Sequence, residues 1–230
     1  MKLAYIASGL LIAGAGIWAA STGILDRVNP FNNARERFED RIKKMQSYCE
    51  NGGEYFIAYS LSREKTGEKK GTVDISRHGN NWRFDFLPED MLPEGARSGP
   101  LSRFPQRYAS VGGKIYMRHH LPPATPSNLL WSEQSEYSIP FRCPEDTMTT
   151  RHRISKLISA KPEGTRTIAG HECEVIAVIS DIPGDTTPVR YCFSTDSDFI
   201  SMPFLIDKDG TDRWMATRIS GRSEPTDIGR

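Results

Sequence analysis

The amino-acid sequence predicts a mainly β (α+β) fold: a curved antiparallel sheet or half-barrel with a packed N-terminal amphipathic helix. Three observations support this prediction. An apolar stripe at helical spacing lies near the N-terminus, a series of short segments with strand-like alternation follows it, and polar or glycine-rich turns separate those segments. Antiparallel neighbours joined by short turns are the simplest arrangement of such strands.

The N-terminal 21 residues have the pattern of an export segment. Lys2 precedes an uncharged run over residues 3–20, and small residues follow it where a signal peptide is cleaved. The run is also long enough, at about 18 residues, for an uncleaved anchor in the inner membrane. In both cases we expect residues 22–230 to form a single β-rich domain that is periplasmic or exported.

The charge balance gives no sign of a nucleic-acid partner. The chain has 30 basic and 29 acidic residues, so no strong field attracts nucleic acid or an anionic membrane. Hydrophobic residues make up 37% and aromatic residues 10%, which is sufficient for a core.

The four cysteines, Cys49, Cys143, Cys173 and Cys192, are an even set in a chain that we expect to be exported. Disulfide bonds persist in such compartments. No pair has the C-x-x-C spacing of a zinc site, so we expect no metal site. Disulfide bonds are therefore the favoured interpretation, and free buried thiols are the alternative.

One cysteine pair lies on the two arms of a predicted hairpin, "HECEVIAVIS" and "PVRYCFS". A nearly symmetric turn centred at Pro183 would place Cys173 opposite or almost opposite Cys192, and a cross-strand bond is the prediction. The same register gives two further facing pairs: Val175 with Arg190, and Ala177 with Pro188.

The segment "NARERFEDRIKKMQSYCENGG" predicts the helix. Its apolar residues fall on one stripe: Phe38, Ile42, Met45 and Cys49. We expect Asn33 to cap the start and Gly52 with Gly53 to end the helix.

Strands are predicted on both sides of a proline-rich centre. The first series is "EYFIAYSLS", "GTVDISRHG", "NNWRFDFLP" and the hairpin "RYASVGGKIYMRHH", which turns at Gly112-Gly113. The second series is "HRISKLISA", "TRTIAG", "HECEVIAVIS", "PVRYCFS", "SMPFLID" and "DRWMATRIS".

Two long stretches, 87–106 and 121–150, carry nine of the prolines and break the strand pattern. Loops of this length are usually functional covers or disordered segments. Cys143 ends the second stretch, and a bond from it to Cys49 would attach that stretch to the helix.

No catalytic motif is present, and we expect no enzymatic activity and no cofactor. The sequence contains no G-x-S-x-G, no H-E-x-x-H and no phosphate-binding glycine loop. His119 and His120 are adjacent, so on a strand they point to opposite faces and cannot share a metal ion. A hydrolase that uses His119 or His152 is the least favoured function.

Aromatic residues mark the candidate binding surface. They come from strands that are predicted neighbours: Tyr55, Phe56, Tyr59, Trp82, Phe84, Phe86, Tyr108 and Tyr116. The inward members either fill a core or line a concave cavity for an apolar ligand.

The order of these elements resembles the periplasmic lipoprotein-carrier (LolA-like) superfamily. The resemblance rests on the helix followed by "GTVDISRHGNNWRFDFLP" and "YASVGGKIYM", and it covers roughly residues 33–118. It implies a half-barrel closed by helices that binds acyl chains or hydrophobic peptides in its concave face. It also implies that Arg83 stands at the position of a polar residue that latches a lid.

The sequence thus predicts an exported, non-enzymatic binding module of the cell envelope for a lipid acyl chain or an apolar partner segment. The predicted ligand-binding residues are Phe56, Trp82, Arg83, Phe84, Phe86 and Tyr116. The alternative is a structural or regulatory interaction protein with a filled core, anchored to the inner membrane through residues 3–20.

Overall fold

Within the described residues, the protein is a curved, open antiparallel sheet of eleven strands with one long helix packed on one side, which confirms the predicted fold class. The computed structural model describes residues 30–63, 66–88, 106–119, 131–134, 142–147, 149, 156–182, 186–196, 202–209 and 212–222. The predicted export segment lies outside these residues. Within them, no helix is both long enough and apolar enough to cross a membrane.

The helix α1 spans Pro30–Asn51. The strands are β1 (Gly53–Arg63), β2 (Lys69–Gly79), β3 (Asn81–Pro88), β4 (Gln106–Val111), β5 (Lys114–His119), β6 (Ser132–Gln134), β7 (Leu157–Ile168), β8 (His171–Ser180), β9 (Val189–Ser194), β10 (Leu205–Lys208) and β11 (Asp212–Ser220).

Two meanders join through the first and last strands. The order across the sheet is β6-β5-β4-β3-β2-β1-β11-β10-β9-β8-β7, so β1 pairs with both β2 and β11. Because side chains alternate along a strand, each strand places one set of residues on the side of the sheet where α1 packs and the other set on the opposite side. We call the side that carries Tyr55, Ile75 and Trp82 the inner face and the opposite side the outer face.

Helix α1 buries the stripe that the sequence predicts. Phe38, Ile42 and Met45 are all buried in the core. The Phe38 ring lies 5.3 Å from the ring of Tyr191 and 6.0 Å from that of Phe193, so this part of the helix packs on β9.

The helix begins three residues earlier than predicted. It starts at Pro30, and Asn33 lies inside it, where its side-chain oxygen accepts a hydrogen bond from Arg37 instead of capping the helix. Proline is favoured in a first turn because its missing N–H has no intrahelical partner there. The predicted end is correct: Gly52 has φ +76°, and its amide donates to the Tyr48 carbonyl at 2.9 Å.

The β4–β5 hairpin has the turn that the sequence predicts. Gly112 and Gly113 have φ values of +59° and +78°, as a two-residue turn of this kind requires. The amide of Gly112 also donates to the Asn81 side chain at 3.1 Å, which ties the turn to the start of β3.

Strand β7 is longer than predicted. The sequence predicts two strands, "HRISKLISA" and "TRTIAG", but residues 157–168 form one strand with register shifts near both Ser159 and Pro162. Strand β7 lies at an edge of the sheet, where a proline that lacks an N–H is tolerated. The proline therefore marks an irregularity within one strand rather than a break between two.

The second proline-rich stretch contains regular structure that the sequence pattern does not predict. Strand β6 extends the sheet beyond β5, and residues 144–147 are helical. Of the first stretch, residues 89–105 lie outside the described chain.

Both disulfide bonds are present, but the predicted hairpin register is wrong. Cys173 is bonded to Cys192 with Cα atoms 5.4 Å apart, and Cys49 is bonded to Cys143. Cys192 directly faces Val175, not Cys173. Two other observed pairs replace the predicted ones: Cys173 with Ser194, and Ala177 with Arg190.

The disulfide Cys173–Cys192 is therefore a diagonal cross-strand bond. Cys173 and Val175 are two residues apart on β8 and share one face of the sheet, so both lie beside Cys192. The two Cα atoms of this diagonal pair lie within the range that a disulfide bond requires. The observed facing pairs are centred one residue further along the chain than the midpoint of the two cysteines.

Candidate ligand-binding face

The inner face of β1 to β4 is aromatic. Tyr55, Tyr59, Trp82, Phe84 and Tyr108 are all buried in the core. Strand pairing sets Phe84 beside Ile75 on β2 and beside Tyr108 on β4, and the Phe84 and Tyr108 rings lie 6.4 Å apart. These contacts make a continuous apolar surface across the strands.

The predicted binding residues divide between the two faces. Three of them lie on the inner face of β3: Trp82, Phe84 and Phe86. The other three lie on the outer face: Phe56, Arg83 and Tyr116. Because neighbouring residues on a strand point to opposite sides, the six cannot line one surface. Ligand binding by the three inner aromatic residues stays a prediction.

Two of the three outer residues, Arg83 and Phe56, contact charged side chains. Arg83 bonds to Asp85 on the same strand, with Nη2 and Nε at 2.6 Å and 2.8 Å from Oδ2. The guanidinium of Arg218 lies 4.3 Å from the centre of the Phe56 ring and covers it.

The inner face remains partly open toward the β5 side of the sheet. Phe86, Ile115 and Met117 pack against the core there but are only half-buried. Met117 faces Tyr108, and Ile115 faces Ser110. We call Phe86, Ile115 and Met117 the apolar strip.

A buried ion pair lies on the inner face beside Trp82. Arg77 faces Tyr55 on β1 and Trp82 on β3. Its Nε and Nη2 each donate to one oxygen of the Glu145 carboxylate at 2.8 Å, and Nη1 donates to the Gly79 carbonyl at 2.8 Å. The exposed fractions of the Arg77 and Glu145 side chains are 1% and 0%.

Two tyrosines complete this polar cluster. The Tyr55 hydroxyl donates to Glu145 Oε1 at 2.6 Å, and the Tyr59 hydroxyl donates to the Pro203 carbonyl at 2.8 Å. Burial raises the pKa of both tyrosines well above 10.0, and the Glu145 charge raises it further.

Arg77 remains charged in this environment. Burial alone would lower the pKa of its guanidinium, but the Glu145 carboxylate and its hydrogen bonds outweigh that effect and raise it. The cluster is therefore a true ion pair that is removed from water.

Neither Arg77 nor Glu145 is among the residues that the sequence pattern predicts for the site. A signal for Arg77 was available, because it continues the inward alternation of Val73 and Ile75 and thus places a cation where an apolar residue is expected. No comparable pattern marks Glu145, which follows Cys143 and Pro144 in a proline-rich stretch.

A groove of about 300 Å³ lies between α1 and the start of β7. It is lined by Arg35, Phe38, Glu39, Ile42, Lys43, Lys156 and Leu157. The groove is separate from the apolar strip, which lies toward the opposite edge of the sheet.

One group of potential metal ligands lies close together in the described part of the chain: Cys49, Cys143 and Asp146. The two cysteines are bonded to each other, so neither offers the thiolate that a metal ion requires.

No family model matches this chain, and no curated protein matches it. Solved structures of similar shape exist at low identity. The complex of Pseudomonas aeruginosa MucA and MucB matches with a TM-score of 0.45 and 15% identity over 83% of this chain. The chain spans 60% of the length of that matched chain.

Two further structures match this chain over nearly the whole of their own length. LprF from Mycobacterium bovis has a TM-score of 0.42 and 10% identity, with 84% of this chain and 97% of LprF covered. A LolA superfamily protein from Nitrosomonas europaea has a TM-score of 0.31 and 9% identity, with 84% and 96% covered. The name of this last structure is that of the superfamily that the sequence pattern resembles.

Proposed function

We propose that the protein is a non-enzymatic binding module of the cell envelope that holds a lipid acyl chain, or an apolar segment of a partner, against the inner face of β3 to β5. The observation that carries the proposal is the apolar strip. Phe86, Ile115 and Met117 continue the buried aromatic surface but are themselves only half-buried. An apolar ligand on the strip would gain contacts with the core and remove these side chains from water.

The disulfide bonds support the proposed compartment. Cys49–Cys143 and Cys173–Cys192 use all four cysteines of the chain. Disulfide bonds form and persist in oxidising compartments such as the periplasm and are rare in the cytosol. A single exported domain over residues 22–230, with residues 3–20 either cleaved or kept as an anchor, remains part of the proposal.

A second candidate function is a structural or regulatory interaction protein whose interior is filled. The burial of Tyr55, Tyr59 and Trp82 favours it, because these side chains are already removed from water by the core around them. The two candidate functions differ at the apolar strip. A bound acyl chain would cover the strip, whereas in a protein without a ligand the strip would stay half-buried.

Native mass spectrometry of the protein purified from its own envelope tests the proposal. We expect co-purifying lipid on the wild-type protein and a strong reduction of it in Phe86→Asp. The matched control is Ile158→Asp on the edge strand β7, where the side chain is 57% exposed and away from the strip. Bound lipid absent from repeated wild-type preparations, or lost equally in both variants, would contradict the proposal.

A further inference from the structure

Arg77 and Tyr55 together have the donor set of a carboxylate-binding site. The two nitrogens of the Arg77 fork lie 2.8 Å from the two Glu145 oxygens, and the Tyr55 hydroxyl adds a third donor at 2.6 Å. A guanidinium that meets a carboxylate in this bidentate way gives a strong and directional contact. The acceptor in this site is supplied by a short segment from another part of the chain.

The segment that carries Glu145 forms several of its hydrogen bonds within itself. The amide of Asp146 donates to the Cys143 carbonyl at 3.1 Å, and the Thr147 hydroxyl donates to the Pro144 carbonyl at 2.7 Å. The disulfide Cys49–Cys143 attaches the segment to α1, and Glu145 attaches it to the sheet. These local bonds do not involve the Glu145 side chain, so they would persist if another carboxylate replaced that of Glu145 at Arg77.

The site adjoins the surface that is proposed to hold an acyl chain. Arg77 faces Trp82, and on the same face Phe84 and Phe86 follow along β3. Four residues of strand separate the Arg77–Trp82 pair from the Val73–Phe86 pair, which is about 13 Å at the usual rise of a strand. This distance matches an extended acyl chain of medium length.

We propose that Arg77 and Tyr55 bind the carboxylate of a fatty acid whose chain lies along Trp82, Phe84 and Phe86, and that Glu145 occupies this site in the unliganded protein. The inference rests on the proposed acyl-chain function and specifies the charge of the ligand. When the carboxylate of the fatty acid replaces that of Glu145, the Arg77 guanidinium again has an anionic partner. A neutral ligand offers no such replacement and leaves Glu145 in place.

The energetics of buried ions agree with a role for the pair beyond stability. The free energy needed to remove two charges from water offsets much of their mutual attraction. A buried ion pair is therefore weak evidence of net stabilisation. A charge that a ligand can match, in contrast, gives selectivity for that ligand.

Calorimetric titration with decanoate and with decanol, both below their aggregation limits, tests the inference. Glu145→Gln removes the competing carboxylate, so we expect its affinity for decanoate to exceed that of the wild type by at least about tenfold. The affinity for decanol should agree within about twofold between the two proteins, since the alcohol does not compete for Arg77.

The double variant Arg77→Met/Glu145→Leu serves if the single variant does not fold. It replaces the ion pair by apolar side chains of similar size, which cores often accept. We expect it to bind decanol and to lose any preference for decanoate. A circular dichroism spectrum that matches the wild type establishes its fold.

The outcomes separate this inference from the function on which it rests. If decanol binds but Glu145→Gln gains no affinity for decanoate, the carboxylate site is wrong and the acyl-chain proposal stands. A preference for decanoate that persists in the double variant also overturns the inference. If neither ligand binds any of the proteins, the proposed function fails and the inference fails with it.

Discussion

Arg77 on β2 and Glu145 on a separate helical turn form a bidentate ion pair from which water is excluded. Both contacts measure 2.8 Å, and 68 residues of chain separate the two side chains. The pair fixes a short segment of a proline-rich stretch to the centre of the inner face. Its neighbours, Tyr55 and Trp82, belong to the aromatic surface that we propose as the binding site.

Glu145→Gln should destabilise the fold strongly. The change leaves the Arg77 charge buried without a counter-charge, and breaking a buried pair in this way costs about 3–5 kcal/mol. Urea denaturation followed by circular dichroism measures the free energy of unfolding.

The control is Glu39→Gln. Glu39 accepts a hydrogen bond from Arg35 at 2.9 Å, but both side chains are 43% exposed. Exposed pairs contribute little, so we expect a change below about 0.5 kcal/mol. If both substitutions lowered the free energy of unfolding equally, burial of the Arg77–Glu145 pair would not determine its contribution to stability.

The two disulfide bonds should differ in their contribution to stability. The bond Cys49–Cys143 closes a loop with a sequence separation of 94, and Cys173–Cys192 closes one of 19. Since the entropy of the unfolded chain falls more when a longer loop is closed, removal should cost about 4.5 kcal/mol for the first bond and about 3 kcal/mol for the second. The measurement compares urea denaturation of the paired Cys→Ser variants. A larger loss from the variant without Cys173–Cys192 would contradict the prediction.

Stability should fall at alkaline pH because of the buried tyrosines. The pKa values of Tyr55 and Tyr59 are raised above 10.0 in the folded protein, chiefly by burial. Above pH 10 the unfolded chain therefore releases protons that the folded chain keeps, and the free energy of unfolding decreases as the pH rises toward the folded pKa values. Each tyrosine contributes a slope of about 1.4 kcal/mol per pH unit in this range.

Tyr59→Phe tests this slope. Below pH 10 the contribution of the raised pKa is fully present in the wild type, so the comparison is made between pH 9 and pH 11. We expect a shallower alkaline decline in the variant, although the lost hydrogen bond to Pro203 lowers its stability at every pH. Parallel pH profiles for the two proteins would contradict the assignment.

Local patterns in the sequence predict most of the fold. The stripe of Phe38, Ile42 and Met45 predicts the buried side of α1, and Gly112-Gly113 predicts the β4–β5 turn. These features depend on residues that are close in sequence, so spacing and backbone preference suffice to find them.

Features that depend on distant residues are predicted less well. The pairing of Cys192 with Val175 depends on how many residues the turn takes up, and a shift of one position in the turn centre changes every facing pair. In the sequence, Pro162 predicts a break between two strands. The structure shows that β7 is an edge strand, where a proline is tolerated.

The candidate site shows the same limit. Trp82, Phe84 and Phe86 are identified from alternation, but their partner residues on other strands are not. Phe56 is aromatic like its neighbour Tyr55, yet it faces outward, where Arg218 covers it. The Arg77–Glu145 contact joins residues that no sequence spacing relates, and only the folded chain brings them together.

Photo-crosslinking with a fatty alcohol that carries a diazirine at the end of its chain tests the central claim most directly. Being neutral, the probe reports on the apolar surface independently of Arg77. We predict cross-linked peptides from β3 and β5 that contain Phe86 and Met117, and their loss when excess unlabelled lipid competes. Cross-links that centre on Ile158 of β7 or on the outer face around Phe56, or that persist under competition, would contradict the binding of an acyl chain on the inner face.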